Sequence, residues 1–275
     1  MTGISIAQAL TAAQTLGLDR LDAQWLLLHV LGKTDADRAW LLAHDADPLE
    51  HEVATAFRAL SLRRAKGEPL AYIVGYKEFF GLRLMVDARV LIPRPDTETL
   101  VQWMLHVSQG MLKPKILDLG TGSGAVAIAL AHSLKTRVTA TDFSMDALAV
   151  AEQNAKQLGA DVAFIRSDWL DKVSGHYHVI ASNPPYIEGG DPHLAALTHE
   201  PLSALTAGND GLDDIKKIIQ QAPKHLRPGG WLLLEHGYNQ AVAVCELLIE
   251  HGFKDVQCRM DLAGITRCSG GKWSA

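Results

Sequence analysis

Asp118-Leu119-Gly120-Thr121-Gly122-Ser123-Gly124 is the stretch on which the fold of this 275-residue chain turns. It closes an apolar run at 116–119 and opens one rich in small residues, Ala125, Ala127, Ala129 and Ala131. Strand, glycine turn and helix is the order this predicts. Glycine has no Cβ, so backbone at such a turn can approach a ligand closely. Asp142 ends the next strand-like run about 20 residues on, where a carboxylate can accept hydrogen bonds from both hydroxyls of a ribose. Together the two predict a nucleoside-containing cofactor. Gly120, Gly122 and Ala125 also fit the dinucleotide spacing GxGxxG/A, so the loop alone leaves the cofactor open. A turn that merely packs a helix onto a sheet is the plainer alternative.

Outward from the loop, strands and helices alternate. Strands are expected at 116–119, 138–141, 162–165, 179–182 and 231–234, with two short ones near Val256 and Ile265. A long helix is expected at 212–226 and another at 241–250. This is the pattern of a doubly wound, mostly parallel, seven-stranded α/β sheet of Rossmann-like type, whose ligands collect at the carboxyl ends of the strands. Before it, residues 1–66 carry apolar positions at helical spacing (Ile6, Leu10, Leu16; Leu21, Trp25, Leu28; Val53, Phe57, Leu60) and read as a small all-α domain. Residues 67–92 read as a β-hairpin linker, with strands at Tyr72-Ile73-Val74 and at 82–86. The remaining segment, 93–275, begins within Ile92-Pro93-Arg94-Pro95-Asp96-Thr97-Glu98, with a helix at 97–107 capped by Asp96. Arg94 and Glu98 either line the cleft or pair with each other at i,i+4 spacing.

Net charge is -5 and the sequence pI about 6.2, which argues against a surface built to neutralise many phosphates. Cys245, Cys258 and Cys268 form no CxxC pair and sit apart from any His cluster of ligand spacing, so neither a metal site nor a disulfide framework is expected. No apolar run reaches the length of a membrane span and no export signal is visible, which places the expected location in the cytoplasm.

Two further clusters lie at the ligand edge. Asp168-Trp169, past the third strand, offers a carboxylate for an exocyclic amine and an aromatic ring for a base; a helix cap beside a core Trp is the other reading. Ser182-Asn183-Pro184-Pro185-Tyr186 follows the fourth strand. An amide nitrogen is a poor nucleophile because its lone pair is delocalised into the carbonyl. The Asn183 side-chain oxygen and the Pro184 carbonyl can each accept one N–H of a planar amide or amino group, leaving the lone pair directed at a methyl donor. Two consecutive prolines preorganise these acceptors, and Tyr186 offers a flat face. The alternative is a plain loop, since Asn and Pro favour turns.

These residues resemble the class I S-adenosylmethionine-dependent methyltransferases, and within them the bacterial HemK-like protein-(glutamine-N5) methyltransferases that act on peptide chain release factors. The resemblance spans nearly the whole chain, including 92–98, 118–124, 182–187 and Glu200-Pro201 through Ala204-Leu205 to Asp210-Gly211-Leu212. It implies S-adenosylmethionine as cofactor, bound by Asp118, Gly120, Thr121, Gly122, Ser123, Gly124, Asp142, Asp168 and Trp169 together with Asn183. Asn183, Pro184 and Tyr186 would carry catalysis, and Asn183 through Tyr186 would hold the target glutamine of the Gly-Gly-Gln loop of a class 1 release factor. The N-terminal helices would help dock that protein. The match is loosest at the end, where Ala263-Gly264-Ile265-Thr266-Arg267 and Gly270-Gly271-Lys272-Trp273 do not line up with the family's last strands.

Three other functions compete. Methylation of adenine N6 uses the same Asn-Pro-Pro-Tyr chemistry, but the acidic balance and the lack of a basic recognition domain make nucleic acid the poorer substrate. An NAD-dependent oxidoreductase would need an acid or base beside the nicotinamide, and none of the twelve histidines stands in a recognisable motif. A non-catalytic adaptor would be expected to have lost Asn183 or a loop glycine, and both are present.

Overall fold

Ser5 starts the first helix. Its hydroxyl accepts from the Gln8 N–H while the Gln8 side chain accepts from the Ser5 N–H, a reciprocal capping box. Five helices follow in order: α1 (Ile6–Thr15), α2 (Arg20–Val30), α3 (Arg38–Ala43), α4 (His51–Ala65) and α5 (Leu70–Val74). Asp19 caps α2 by accepting the Leu21 N–H at 2.7 Å. The apolar faces meet in one core that includes Ile6, Ala13, Leu26, Leu27, Leu41 and Phe57. The structure, a computed structural model, describes residues 3–274, and the chain divides into two units, one ending at Tyr76 and the other beginning at Lys77.

The strand expected at Tyr72-Ile73-Val74 is instead the helix α5. Pro69 precedes its first turn, its carbonyl accepts from the Tyr72 and Ile73 N–H groups, and Gly75 stops it in the left-handed conformation at φ 81°. Ile73 and Val74 bury into the helical core, so packing overrides their β preference. The hairpin lies just beyond, as β1 (Tyr76–Phe79) and β2 (Leu82–Met85).

The second unit is an α/β sheet. Its parallel strands are β3 (Ile116–Leu119), β4 (Val138–Asp142), β5 (Val162–Arg166), β6 (Tyr177–Ser182) and β7 (Leu226–Glu235), completed by β8 (Phe253–Met260) and β9 (Thr266–Trp273). The order is β5-β4-β3-β6-β7-β9-β8, with β9 alone running opposite to the others. Chain direction across the sheet reverses at β3, which pairs with β4 on one side and β6 on the other; such a switch point opens a crevice at the carboxyl ends. The helices of this unit are α6 (Glu98–Val107), α7 (Ala125–Leu134), α8 (Met145–Leu158), α9 (Asp213–Gln221) and α10 (Ala241–Glu250). α7 is apolar nearly all round because it is buried on nearly every side, Ala125 through Ala131 without a break.

Several boundaries differ from the sequence expectation. α6 begins at Glu98 without a side-chain cap: Asp96 lies inside a preceding 3-10 turn and pairs with Arg267 at 3.3 Å. The helix expected at 212–226 ends at Gln221 and continues as a 3-10 turn holding Pro223, which lacks the N–H an α-helix would need. Ile265 sits in the turn before β9. That strand contains the pair Gly270-Gly271, poor strand formers that are required here. A Cβ on Gly270 would stand 2.5 Å from Leu233, and one on Gly271 2.8 Å from Phe253. Cys245 and Cys258, far apart in sequence, bring their sulfurs to 3.2 Å as free thiols.

Among the described residues no helix is long and apolar enough to cross a membrane, and no group of three His, Cys, Asp or Glu side chains could hold a metal ion.

Candidate active site

Everything at the carboxyl edge depends on how β3, β4 and β6 end. Ser182 closes β6 against β3, its hydroxyl donating to the Leu119 carbonyl at 2.8 Å. The glycine loop leaves β3 and folds back on β4, Thr121 N–H donating to the Thr141 carbonyl at 2.8 Å. Asp118 is buried under the loop and accepts the Thr121 hydroxyl at 2.6 Å; burial raises its pKa to about 7. Asn154 on α8 reaches from behind, donating to the Ser123 carbonyl at 2.9 Å and exchanging hydrogen bonds with the backbone of Met85 on β2. Gly124 then starts α7 at φ 84°, where a Cβ would meet Ile128 at 2.8 Å.

Of the loop, Gly120 and Gly122 reach the wall of a cavity of about 380 Å³; Asp118, Thr121, Ser123 and Gly124 shape the turn from beneath. Asp142 lines the same cavity. Its two oxygens accept the Gly122 and Ser144 N–H groups, each at 2.9 Å, and burial raises its pKa. Phe143 stands beside it, exposed, and Ser144 caps α8. Asp168 and Trp169 both face the cavity. Trp169 has φ 45°, an uncommon backbone state for a bulky residue and one often kept at functional sites. Its ring packs so closely on Gly120 that a Cβ there would lie 3.1 Å from it, and its indole N–H donates to Asp214 at 2.9 Å. Asp168 is paired with Lys217 at 2.6 Å, a partner the sequence did not suggest.

A second cavity, of about 410 Å³, adjoins the first. Leu91, Asn183 and Ala204 belong to the walls of both, whereas Pro185 faces the first and Pro184 and Tyr186 the second. The Asn183 amide nitrogen donates to the Thr97 hydroxyl at 3.1 Å, so Oδ1 is the end of the amide left for a ligand. The Tyr186 hydroxyl donates to Glu235 at 3.4 Å, and burial raises its pKa. Behind the motif, the Gln240 amide donates to the Tyr186 and Asp210 carbonyls at 3.0 and 3.2 Å. Gly211 fits there because a Cβ would lie 2.2 Å from the Tyr186 carbonyl oxygen.

Arg94 and Glu98 do not pair with each other. Arg94 lines the second cavity and pairs with Glu200 at 2.5 Å, and Glu200 also accepts the Ile92 N–H; Glu98 accepts the Phe80 N–H at 3.0 Å and so ties α6 to the hairpin. Asn154, Glu235 and Gln240 were missed in the sequence, and Thr97 and Glu200, quoted within 92–98 and Glu200-Pro201, were given no role of their own there. For Glu235 a signal existed, since it ends a parallel strand at the ligand edge. The others are found only through partners distant in the chain.

Residues 95–261 match the family model described as Methyltransferase small domain, and residues 5–75 match the PrmC N-terminal domain. A release factor glutamine methyltransferase of Bordetella pertussis is 50% identical over 260 residues, covering 93% of this chain and 95% of that protein. The protein of the same description from Burkholderia pseudomallei is 46% identical over 276 residues, 95% of this chain and 96% of its own. Among solved structures, a methyltransferase of Pyrococcus furiosus superimposes with a TM-score of 0.54 at 21% identity, over 71% of this chain and 91% of that one, a likeness of fold. On the strength of relatives matched at this identity along nearly their whole length, the chain belongs to the release factor glutamine methyltransferase family.

Proposed function

We propose that this chain transfers the methyl group of S-adenosylmethionine to the side-chain amide nitrogen of the glutamine in the Gly-Gly-Gln loop of class 1 peptide chain release factors. The observation that carries this reading is the position of Asn183, a wall of both cavities with its amide oxygen turned away from Thr97. One cavity fits an adenosine. Gly120 has a bare face against the Trp169 ring, and the Asp142 carboxylate has lone pairs to spare for ribose hydroxyls beyond the two backbone N–H groups it holds. Gly122, Phe143, Asp168 and Trp169 complete the wall.

When bound, S-adenosylmethionine supplies an electrophilic methyl on a sulfonium. The chain's own residues prepare the acceptor. Asn183 Oδ1 and the Pro184 carbonyl each take one N–H of the glutamine amide. Its plane is thereby fixed, and its nitrogen lone pair is aimed past Asn183, the wall common to both cavities, towards the first. Placement within about 3–3.5 Å supplies much of the rate. Pro184 and Pro185 hold the backbone so that little reorganisation is needed, and Tyr186 packs against the flat amide. No strong base is required at the outset, because the attacking nitrogen is neutral and loses its proton after transfer. In the same reading residues 1–66 dock the protein substrate, 67–92 link, and 93–275 carry the chemistry.

Methyl transfer from labelled S-adenosylmethionine tests the proposal, with a purified class 1 release factor, its Gln-to-Ala loop variant and an adenine-containing oligonucleotide offered side by side. Label on the wild-type factor alone is the expected result. Label on the Gln-to-Ala variant or on the oligonucleotide would overturn it.

A further inference from the structure

Ser182 on β6 pairs in register with Leu234 on β7, so Asn183 and Glu235 leave adjacent strands side by side. Glu235 is completely buried. One of its oxygens accepts the Tyr186 hydroxyl, and the other has no hydrogen-bond partner. Buried acceptors are rarely left unused. Thr97, 5% exposed, stands beside the same carboxyl and lowers its pKa without closing a hydrogen bond to it. The Thr97 oxygen already accepts from Asn183. A hydroxyl has a single hydrogen to place, and Glu235 is the acceptor set to receive it.

We propose that Glu235 is a positioning residue for the methyl-accepting site: by taking the Thr97 hydrogen it forces the Thr97 lone pair towards the Asn183 amide nitrogen and so keeps Asn183 Oδ1 facing the substrate, while its other oxygen anchors Tyr186. The inference rests on the reading of this site as an amide methyl-transfer site. Without the carboxylate, the Thr97 hydrogen can turn to Asn183 and favour the flipped amide. The Asn183 NH2 would then oppose the substrate NH2, donor against donor. The groups around the carboxyl are Asp96 from the 3-10 turn, Tyr186 from the loop after β6, and Arg267 and Cys268 from β9; Arg267 opposes and Asp96 adds to the effect of burial, and the carboxyl titrates near 7. A protonated Glu235 is a donor and competes for the Thr97 oxygen, so turnover should fall as the pH drops through that value.

The test compares kcat, KM for the release factor and the equilibrium Kd of S-adenosylmethionine in Glu235→Gln, Thr97→Val, Thr97→Ser and the Glu235→Gln/Thr97→Val double variant. Glutamine preserves shape but offers one acceptor in place of two. Glu235→Gln and Thr97→Val should each lower kcat roughly 10–100-fold, the usual scale for a residue acting through another, with cofactor Kd within about twofold. Thr97→Ser should restore near-normal turnover. The double variant should be no worse than the poorer single, since both cut one chain, and the acidic limb of the kcat profile near pH 7 should vanish in Glu235→Gln. Unchanged kcat in Glu235→Gln, multiplicative losses in the double variant, or an intact acidic limb would each overturn the inference. Failure of the proposed function looks different, because the wild-type protein would then leave the release factor unlabelled.

Discussion

The two adjoining cavities are built on opposite plans. On the adenosine side, polar groups already have partners within the loop and its supports: Asp142 holds the Gly122 and Ser144 N–H groups, Asp118 holds the Thr121 hydroxyl, and Asn154 clasps the loop from behind. On the amide side, acceptors are left open. Asn183 presents Oδ1 on the wall of both cavities because its nitrogen is committed to Thr97, and Pro184 lines the second cavity beside it. A rigid, self-satisfied wall suits a ligand that is held the same way throughout the reaction. Acceptors with capacity in reserve suit a group whose hydrogen bonds must strengthen as the nitrogen lone pair is drawn out. Damage to the first wall should therefore be read in affinity, and damage to the second in rate.

The largest expected effect is on the second side. Asn183→Ala should lower kcat by about 10²–10³, the scale seen when one preorganised polar partner of a transition state is removed. Equilibrium binding of S-adenosylmethionine, followed by calorimetry, should change little. A loss confined to cofactor affinity would erase the contrast. Asp142→Ala is the mirror experiment. It removes charge-assisted hydrogen bonds worth about 1.5–3 kcal/mol, so the cofactor Kd should rise roughly 10–100-fold while kcat at saturating cofactor stays within a few-fold. Unchanged cofactor affinity would take Asp142 off the ribose.

How much of this was readable beforehand follows the same division. The glycine loop, Asp142 and Asn183-Pro184-Pro185-Tyr186 are short segments whose chemistry lies in neighbouring residues, and their place at strand ends follows from the alternation of elements. Thr97, Asn183 and Glu235 meet only because β6 lies beside β7 and a 3-10 turn crosses their ends; no spacing in the chain announces that. Asn154 was hidden for the same reason, a helix residue serving a loop and a hairpin. Tyr72-Ile73-Val74 misled because side-chain preference for strand yields to a Pro69 start, a Gly75 stop and an apolar core. A last strand was expected near Ile265, but its run on through Gly270 and Gly271 was not, because those glycines answer the crowding of Leu233 and Phe253, which the sequence does not display.

A smaller effect should come from behind the motif. Gly211 has φ 68° and faces the Tyr186 carbonyl. Gly211→Ala adds left-handed strain of about 1–2 kcal/mol, and its methyl group would also press on that carbonyl and on Gln240. Thermal unfolding should show the lost stability. Cofactor affinity should be spared if the two sides are as separate as their construction suggests. Equal losses of cofactor affinity and turnover would mean that the loop after β6 and the glycine loop move as one body.

The smallest effect separates the two buried carboxyls, Asp118 and Glu235, one under each cavity and both raised to about 7 by burial. A carboxyl with a raised folded pKa keeps a proton that the unfolded chain has already released. Stability in the cofactor-free protein therefore falls as pH rises from about 4 to about 7, and the loss is complete above that. Asp118→Asn is neutral throughout and can still accept the Thr121 hydroxyl. Its Tm relative to wild type should climb over that window, by the equivalent of about 1 kcal/mol or more. Glu235 titrates in the same direction in both proteins, so it cancels from the difference. A Tm difference that is flat with pH would mean that Asp118 stays ionised beneath the loop. The adenosine side would then hold a buried negative charge, and its affinity for the cationic cofactor would owe more to electrostatics than to the satisfied backbone contacts described for it.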